Sequence, residues 1–327
     1  MKSQDLASGG PRIVLATSSD ETRDGGGPST RMPPLAQGLL EFGIQASLPR
    51  VNMGLPDLLH WMNVWPPAAS LEKLLQARTA RVPSVLSPIF LNLAGYDIWR
   101  HQIPALTITK AGTLDDERFL DFGHQIAERQ TRYEEPFEGY FDEIRMVARL
   151  AKHIIFLSEK EQLAFGQIGA LQDVPHTIVR NPTSILDPSG IPEGLAHEHL
   201  GLSRFILQVG RIESRKNQLA VAEASRRLGI PAVFIGVPTE PHYFRLVREI
   251  ADRSSVFLPR LSHKDPLFIS AMRDADVFCL PSWAEGAPLA ALEAGGLGTP
   301  LILSSQSGQE EYFSRFAEYV DPGNIAE

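Results

Sequence analysis

The sequence is poor in cysteine and contains no long hydrophobic run. With one cysteine, Cys279, among 327 residues, the chain cannot form a disulfide framework. Cys279 lies in the apolar segment DVFCLPS, which predicts a thiol packed in the core. No apolar stretch reaches the ~18–20 residues that a membrane-spanning helix needs. The first residues, MKSQDLASGGP, lack the apolar middle of a signal peptide. We therefore expect a cytoplasmic protein in which residues 1–11 form a disordered leader.

An excess of positive charge is also missing. The chain has 31 Lys and Arg against 39 Asp and Glu, a formal net charge of −8. Neither half is basic, with 18 basic against 24 acidic residues up to position 200 and 13 against 15 beyond it. Nucleic-acid-binding proteins usually present a basic face, so we expect no nucleic-acid partner and at most peripheral membrane contact. His197 and His199 flank Glu198 without a further cluster of ligands, so we expect no metal site.

Short apolar runs alternate with longer amphipathic stretches along most of the chain. This alternation is typical of strand–helix units around parallel sheets, and the length favours two domains. Strands are predicted at 12–17, 44–49, 57–62, 83–89, 105–109, 153–158 and 176–181, and again at 204–210, 231–236, 255–259, 276–282 and 300–305. Helices are predicted between them, with capping pairs at Thr113 with Asp116 and at Ser158 with Glu161.

The pattern pauses over residues 181–203, which are rich in Pro, Gly and Ser. We therefore expect an N-terminal domain over 12–182, a linker over 183–203 and a second domain over 204–327, truncated at its end. Both domains are predicted to be doubly wound α/β folds. In such sheets, ligands bind beyond the carboxyl ends of the strands.

The segment PSWAEGAPLAALEAGGLGTP (281–300) is the most informative one. A strand ends near Ser282, a loop follows, and a helix is predicted to open near Pro288, a favourable first-turn residue. Backbone amides at a helix N-terminus bind phosphate, and a loop carboxylate beside them, Glu285, suits sugar hydroxyls. Glu293 lies within an otherwise small and apolar helix, where a charge needs a partner. Both carboxylates could instead be solvated surface groups.

A second segment, QVGRIESRKNQ (208–218), places cations after a strand. Arg211 and Lys216 flank the turn that follows Gly210, where they could neutralise the charge of a diphosphate leaving group. Arg215 is also present, and at least one of the three cations is expected to be an idle surface group.

Together these segments resemble a known family. The order GRIESRKN, VFIGVP, FLPRLSHKD and ADVFCLPSWAEGAPLAALEAGGLGTP is similar to the donor domain of retaining glycosyltransferases of family 4, over 203–327. The spacing from Glu285 to Glu293 matches the E-x7-E motif of that family. The resemblance implies the GT-B architecture, two Rossmann-like domains that face each other across a cleft.

The resemblance also implies the roles of the site residues. Arg211 and Lys216 would hold the diphosphate, and Glu285 would hold the donor-sugar hydroxyls close to the reacting carbon. These three are the candidate catalytic residues, and no divalent ion or other cofactor is implied because the cations replace it. Further donor-binding residues are Glu293 on the ribose, Arg260 and Leu261 beside the base, and Gly210, Gly286, Ala287, Pro288 and Leu289.

The first half resembles the family less closely. DGGGPSTRMPPLAQGLLEFG (24–43) is similar to the glycine loop of the family, in which Gly25, Gly26 and Gly27 would approach the donor phosphate or the acceptor. Many relatives have a strand that ends in T-x-H, whose histidine touches the donor sugar. The counterpart here, VPSVLSPIF (82–90), has no histidine, and His60 and His101 are expected to be structural or surface residues.

The sequence therefore predicts a retaining glycosyltransferase that uses a nucleotide-sugar donor. The acceptor could be a saccharide, a lipid-linked saccharide or a small molecule. The missing histidine leaves a non-catalytic nucleotide-sugar-binding relative as the alternative. A GT-B epimerase or phosphorylase is disfavoured by the E-x7-E spacing and the lack of a pyridoxal lysine motif.

Overall fold

The computed structural model describes residues 10–18, 27–49, 54–93, 96–97, 100, 102–103, 107–171, 173–182, 186–306 and 308–327, without the side chain of Ser29. Strands and helices alternate along these residues. The strands are β1 (Arg12–Ala16), β2 (Gln45–Ser47), β3 (Leu58–Met62), β4 (Ser84–Ser87), β5 (His153–Phe156), β6 (His176–Ile178), β7 (Ile206–Val209), β8 (Ala232–Ile235), β9 (Val256–Leu258), β10 (Val277–Leu280), β11 (Leu301–Ser304) and β12 (Glu318–Val320).

The α-helices of the described residues lie between these strands, and two short 3-10 turns accompany them, at Ser214–Lys216 and Ser314–Phe316. The helices are α1 (Gly27–Glu41), α2 (Pro67–Thr79), α3 (Asp116–Arg132), α4 (Tyr140–Leu150), α5 (Glu159–Gln167), α6 (Leu195–Leu200), α7 (Gln218–Leu228), α8 (Pro241–Ile250), α9 (Pro266–Asp274), α10 (Leu289–Gly296) and α11 (Glu310–Phe313). None of the helices in the described ranges is long and apolar enough to cross a membrane.

Backbone contacts divide the chain into two compact units. The first unit comprises residues 1–91 and 137–180, and the second comprises residues 92–136 and 181–327. Residues 92–136 therefore group with the C-terminal unit, although they lie within the range 12–182 that the sequence predicts for the N-terminal domain. Residues 186–203 also belong to the second unit and contain α6.

The first unit is built on a six-stranded sheet of order β2-β1-β3-β4-β5-β6 in which all paired strands are parallel. The register pairs Leu15 of β1 with His60 of β3. The predicted Ser158 cap is confirmed, because its side chain accepts a hydrogen bond from the Glu161 amide at 3.0 Å.

The second unit is built on a parallel six-stranded sheet of order β12-β11-β10-β7-β8-β9. Strands β7 and β10 lie at the centre of the sheet. The order from β7 to one edge is β7, β8, β9, and the order from β10 to the other edge is β10, β11, β12. This is the strand order of a dinucleotide-binding Rossmann sheet, and its switch point lies between β7 and β10. The prediction of two doubly wound α/β folds is confirmed.

Two apolar clusters hold the second sheet between its helices. One contains Leu207, Phe278 and Leu303, with Leu186 and Ala196 from the predicted linker. The Ala196 amide donates to Ser270 Oγ of α9 at 2.8 Å. The predicted linker is thus packed against the second unit, because its scattered apolar residues find a partner only in the folded sheet.

The other cluster contains residues of α7 and α8 together with apolar residues of the segment 92–136. Its members from that segment are Tyr96, Ile103, Leu114, Phe119, Phe122 and Ile126. The described part of the predicted strand 105–109 forms no strand, since Ile108 makes only an isolated bridge to Leu114.

The predicted cap at Thr113 is wrong. Helix α3 begins later, and its cap is Asp115, which accepts from the Arg118 amide at 3.2 Å. Thr113 instead pairs its hydroxyl with Thr109 at 2.9 Å. Both Thr113 and Asp115 are favourable caps, so local chemistry alone did not distinguish them.

Candidate functional site

The loops that follow β7 and β10 lie side by side at the switch point of the second sheet. The strands pair directly, with Ile206 opposite Val277. Asn217 ties the loops together, because its Nδ2 donates to Pro281 O at 3.0 Å and to Pro322 O at 2.8 Å. Asn217 is 1% exposed and has a φ of 57°, a left-handed conformation that asparagine tolerates better than most residues.

The turn Ser214–Lys216 is fixed by hydrogen bonds to its carbonyl groups. Gln208 Nε2 of β7 donates to Lys216 O at 2.8 Å, and the Trp283 amide donates to Arg215 O at 3.0 Å. Gln218 Nε2 donates to the preceding Arg211 O at 2.9 Å. The side chains of the turn therefore project from a backbone that is held on both sides before any ligand binds.

Glu285 is the meeting point of the two loops. Its Oε1 accepts from Lys216 Nζ, from Arg215 Nη1 at 3.3 Å and from Ser282 Oγ at 3.2 Å. Burial by itself would raise the pKa of Glu285, but Lys216 and Arg215 outweigh it, so the pKa lies below the ordinary value. Glu285 is therefore an anion in the folded protein.

The expectation that one cation of this segment is idle is wrong for Arg215. Its side chain is only 14% exposed and donates to Glu213 Oε1 at 2.7 Å and to Ala284 O at 2.6 Å. Together with its contact to Glu285, these bonds make Arg215 the bridge between the loops. No local pattern indicates this role, because the directions in which three neighbouring cations point depend on the fold.

Arg211 is the most exposed of the three cations. Its side chain is 38% exposed and pairs with Glu213 at 3.3 Å. The pKa of Glu213 is lowered, since Arg215 and Arg211 outweigh the effect of burial. Glu240 also faces the turn and accepts from the Ser214 amide at 3.2 Å. Three cations and three carboxylates thus balance formally, and the carboxylates offset the repulsion between cations such as Arg215 and Lys216.

Two glycines allow the strand ends to approach. At Gly210, with a φ of +149°, a Cβ atom would stand 3.6 Å from Lys216 Cε. At Gly236, which follows β8, a Cβ atom would stand 1.9 Å from Gly210 O. A side chain at position 236 would push the two strand ends apart and displace the turn that carries Lys216.

Helix α10 starts beside Glu285. The helix begins at Leu289, so Pro288 is its N-cap rather than its first residue, and no side chain caps its first amides. Pro288 lacks an N–H group, and the half-buried residues Gly286 and Ala287 precede it. The uncapped amides at the start of the helix are suitable donors for a phosphate group.

Glu293 lies in the middle of α10 and is buried, with 4% exposure. Burial raises its pKa to about 7. Its ionisable neighbour within the described residues is His263, whose Nδ1 lies 3.7 Å from Oε1. The pKa of His263 is lowered by burial and by Arg260, so the imidazole is mainly neutral at pH 7. Glu293 is therefore a buried carboxyl group without a strong cationic partner, which is unusual unless a ligand supplies hydrogen bonds.

The loop after β9 approaches α10 through this histidine. His263 stacks on Phe268 of α9, with ring centroids 5.3 Å apart. Arg260 is exposed, whereas Leu261 packs against the apolar cluster of the sheet. His263 was not singled out from the sequence, although it lies in the matched segment FLPRLSHKD, because a lone histidine carries no positional signal.

In the first unit, the predicted glycine loop is only partly described. Gly27 is the first residue of α1, and Gly25 and Gly26 lie outside the described residues, as does His101. His60 is buried and shares a hydrogen bond of 2.9 Å with Ser87 Oγ at the end of β4. Burial and the nearby Arg31 lower the pKa of His60 to about 4, which fits the structural role expected for it.

His197 and Cys279, which the sequence analysis also considered, make contacts that stabilise the fold. His197 Nδ1 donates to Leu202 O at 2.9 Å, and the imidazole packs edge-on against Phe205. Over the described residues, no group of three His, Cys, Asp or Glu side chains is arranged to hold a metal ion. Cys279 is partly buried beside the core, and burial raises its pKa to about 12.

Comparisons with known proteins match the two parts of the chain unequally. The sequence model described as glycosyl transferases group 1 matches residues 197–327. The D-inositol 3-phosphate glycosyltransferase of Mycobacterium tuberculosis is 32% identical over 124 residues, which are 35% of this chain and 25% of that protein. The match thus spans about a quarter of the length of these curated relatives.

Solved structures resemble the chain over nearly its whole length. Sucrose-phosphate synthase from Thermosynechococcus elongatus has a TM-score of 0.68 at 15% identity and covers 97% of this chain and 87% of its own. HepE from Anabaena, in complex with UDP and glucose, has a TM-score of 0.65 at 16% identity. This match covers 98% of the present chain and 88% of the HepE chain. At these identities the likeness concerns the fold. Residues 197–327 therefore match the model of glycosyl transferases group 1, and the chain shares the two-domain Rossmann-like fold, GT-B, of these solved structures.

Proposed function

We propose that the protein is a retaining glycosyltransferase that moves a hexosyl group from a nucleoside diphosphate sugar to an acceptor hydroxyl. The observation that carries this proposal is Glu285. This buried anion is held by Lys216 and Arg215 at the switch point, next to the uncapped start of α10. Such a group suits a ligand that offers hydroxyl donors to the carboxylate and phosphate to the cations and the helix start, which describes a nucleotide sugar.

The diphosphate is assigned to the turn and to α10. Lys216 has three N–H donors, so it can keep Glu285 and still reach a phosphate oxygen. Arg211 is exposed enough to swing from Glu213 to the second phosphate. Their positive charge would stabilise the negative charge that grows on the diphosphate as the bond to the sugar breaks, and we therefore expect no divalent ion or other cofactor.

The sugar and the ribose are assigned to the two glutamates. Glu285 would accept hydrogen bonds from donor-sugar hydroxyls, and Glu293 would accept them from the ribose. Gly210, Gly286, Ala287, Pro288 and Leu289 would line the phosphates and sugar, and Arg260 and Leu261 would lie near the base. The described residues Gly210 and Leu289 border the turn and the helix start that this arrangement requires.

Retention of configuration rests on the resemblance to family 4. In the proposed step, the bond between the anomeric carbon and the diphosphate oxygen breaks while the acceptor oxygen attacks the same face. The acceptor proton passes to the leaving diphosphate. The protein would then contribute positioning and charge stabilisation rather than a covalent nucleophile.

The donor and acceptor are proposed at the level of class. HepE was solved with UDP and glucose, and sucrose-phosphate synthase and D-inositol 3-phosphate glycosyltransferase are named for saccharide or polyol products and acceptors that carry phosphate. UDP-hexose is therefore the first donor to test, with a saccharide, a lipid-linked saccharide or a small molecule as acceptor, in the cytoplasm.

One observation favours a second candidate function. Strand β4 lies in the segment 82–90, the counterpart by resemblance of the strand that ends in T-x-H in many relatives, and this segment has no histidine. Its last residue, Ser87, is hydrogen-bonded to His60. A protein without that contact could bind nucleotide sugars and never turn them over.

The test has two stages. UDP, GDP, ADP and dTDP are compared by thermal shift, where a ligand at about 100 Kd stabilises the native state by roughly 2.7 kcal/mol. Hydrolysis and transfer of the matching nucleotide sugar are then measured with a panel of acceptors. Binding without any turnover would favour the non-catalytic candidate, and no binding of any nucleotide would reject both.

A further inference from the structure

The segment 92–136 contributes to the second unit although it precedes β5 in the chain. Its apolar side chains share one cluster with residues of α7 and α8. Asp116, at the start of α3, is anchored to Arg227 of α7 through both carboxylate oxygens, one of them 2.9 Å from Nη1. Arg227 is in turn held by Glu223, which is fully buried. The segment is thus fastened to the sheet that carries the candidate site.

One contact reaches the turn Ser214–Lys216 directly. The Tyr96 hydroxyl shares a short hydrogen bond with Ser214 Oγ. Tyr96 is 2% exposed and Ser214 is 4% exposed, so water cannot easily replace either partner. Burial raises the pKa of Tyr96, which therefore stays protonated and able to donate. Neither the Glu285 pair nor the family match assigns a role to this tyrosine.

A second contact reaches the loop that carries Glu285. Phe119 of α3 packs against Trp283, with ring centroids 5.6 Å apart, and both side chains are buried. Trp283 lies two residues before Glu285, and its amide holds Arg215 O. Helix α3 also lies close to the backbone at Gly323. The glycine at position 123 permits this approach, because a Cβ atom there would lie 2.8 Å from Gly323 Cα.

Both contacts come from the segment 92–136, and both reach the residues around Arg215 and Lys216. The Tyr96 hydroxyl limits the movement of Ser214, and Phe119 limits the movement of Trp283. Arg215 and Lys216 lie between these points and bridge to Glu285. A shift of the turn by a few tenths of an ångström would therefore change the distance between Lys216 and its anionic partners.

We propose that Tyr96 is a positioning residue for the diphosphate-binding turn, acting through Ser214. This proposal rests on the proposed function of the turn, and it adds a residue outside the matched domain. Loss of the Tyr96 hydroxyl leaves the turn with one anchor fewer and lowers its affinity for a diphosphate without touching the nucleoside.

The experiment is a double-mutant cycle of Tyr96→Phe and Ser214→Ala in the full chain. Tyr133→Phe, a half-buried tyrosine of the same segment, is the matched control. Binding of UDP and of uridine is measured by calorimetry and competition, and hydrogen exchange is followed over residues 210–218. Melting temperatures verify that each variant is folded.

We expect Tyr96→Phe and Ser214→Ala each to weaken UDP binding by about tenfold, the upper range for one neutral hydrogen bond. The double variant should lose no more, because both changes remove the same bond. Uridine binding and the Tyr133→Phe control should be unchanged, and exchange over 210–218 should rise in the three cycle variants. A general loss of stability would instead weaken UDP and uridine alike.

Unchanged UDP affinity and exchange in Tyr96→Phe would overturn the proposal, as would losses that add in the double variant. A wild-type protein that binds no nucleotide, but in which Tyr96→Phe still raises exchange over 210–218, would reject the proposed function. That result would retain the role of Tyr96 in positioning the turn.

Discussion

At the scale of single residues, the two glutamates of α10 and its preceding loop differ in electrostatic state. Glu285 is an anion paired with two cations, and Glu293 is a buried carboxyl group with a pKa of about 7. Both are buried, so burial alone does not separate them. The difference arises because Arg215 and Lys216 of the turn pair with Glu285, whereas the neighbour of Glu293 among the described ion pairs is His263.

This difference predicts distinct kinetic effects of the two Glu→Gln variants. In the proposed function, Glu285 accepts hydrogen bonds from the sugar hydroxyls. These bonds should tighten as positive charge grows at the anomeric carbon, so Glu285→Gln should lower kcat more than it raises KM. Glu293→Gln should mainly weaken nucleotide binding, because ribose contacts change little during the reaction. Donor hydrolysis rates and calorimetric UDP affinities measure both effects.

The assignment of Glu285 would be wrong if Glu285→Gln retained full donor turnover. Thermal melts of both variants distinguish a loss of chemistry from unfolding, since Glu285→Gln also breaks a buried ion pair. Glu41→Gln, at the exposed end of α1, is the control.

The raised pKa of Glu293 predicts a specific pH dependence of stability. Between its ordinary value of 4.5 and its folded value of about 7, the folded protein keeps a proton that the unfolded chain has released. The free energy of unfolding therefore falls as pH rises through this window, and the contribution of this proton is lost above it. Glutamine has no such proton to lose.

We therefore expect Glu293→Gln to have little effect on stability at pH 5 and to stabilise the ligand-free protein at pH 8. The effect of Glu293→Gln on the free energy of unfolding should differ between pH 5 and pH 8 by at most about 3 kcal/mol. Urea unfolding at the two pH values, with Glu41→Gln as the exposed-carboxylate control, measures it. Equal destabilisation of Glu293→Gln at both pH values would contradict the assignment.

At the scale of secondary-structure elements, the connection from β7 to α7 determines the site. Asn217 ends the turn Ser214–Lys216 in a left-handed conformation and holds the carbonyls of Pro281 and Pro322. The backbone conformation of Asn217 and its two side-chain hydrogen bonds contribute separately to stability, and two substitutions can distinguish their contributions.

Asn217→Gly keeps the left-handed conformation and loses both side-chain bonds, so it should destabilise the protein by about 1–3 kcal/mol. Asn217→Ala loses the same bonds and adds the strain of a left-handed alanine, about 1 kcal/mol more. Urea unfolding should thus rank wild type above Asn217→Gly and Asn217→Gly above Asn217→Ala. A glycine variant as stable as wild type would show that the two carbonyl bonds contribute nothing.

At the scale of the whole molecule, residues that are distant in sequence form the unit that carries the candidate site. Residues 92–136 and 181–327 share its apolar clusters, and residues 137–180 between them belong to the other unit. A ligand that binds the second unit should therefore stabilise residues 92–136 together with residues 181–327, and should stabilise residues 137–180 less.

Saturating UDP should therefore slow hydrogen exchange in α3 together with the elements of the second unit that hold the turn. Helices α2 and α4 of the first unit should respond less. Exchange mass spectrometry with and without UDP, and with uridine as the phosphate-free control, measures this pattern. Protection of α7 and α10 without protection of α3 would contradict the grouping of 92–136 with the second unit.

Local sequence was sufficient for the regular elements of the second unit. Each strand predicted between 204 and 305 is present within a few residues, because a buried parallel strand is a short apolar run with turn residues at its ends. The Ser158 cap was predicted correctly for a similar reason, since it depends on residues within one turn. The Thr113 cap was wrong because the nearby Asp115 is an equally favourable cap, and residues 107–109 of the predicted strand 105–109 form no strand.

The sequence by itself determined the two Rossmann-like folds and the spacing of Glu285 and Glu293 on one loop and helix. These follow from hydrophobic periodicity and from residues close together in the chain. Only the tertiary structure decided that Arg215 bridges Glu285 and Glu213, that His263 approaches Glu293, and that Tyr96 holds Ser214. These contacts join side chains from different loops and segments, and their partners are fixed by strand order and close packing, which no local pattern encodes.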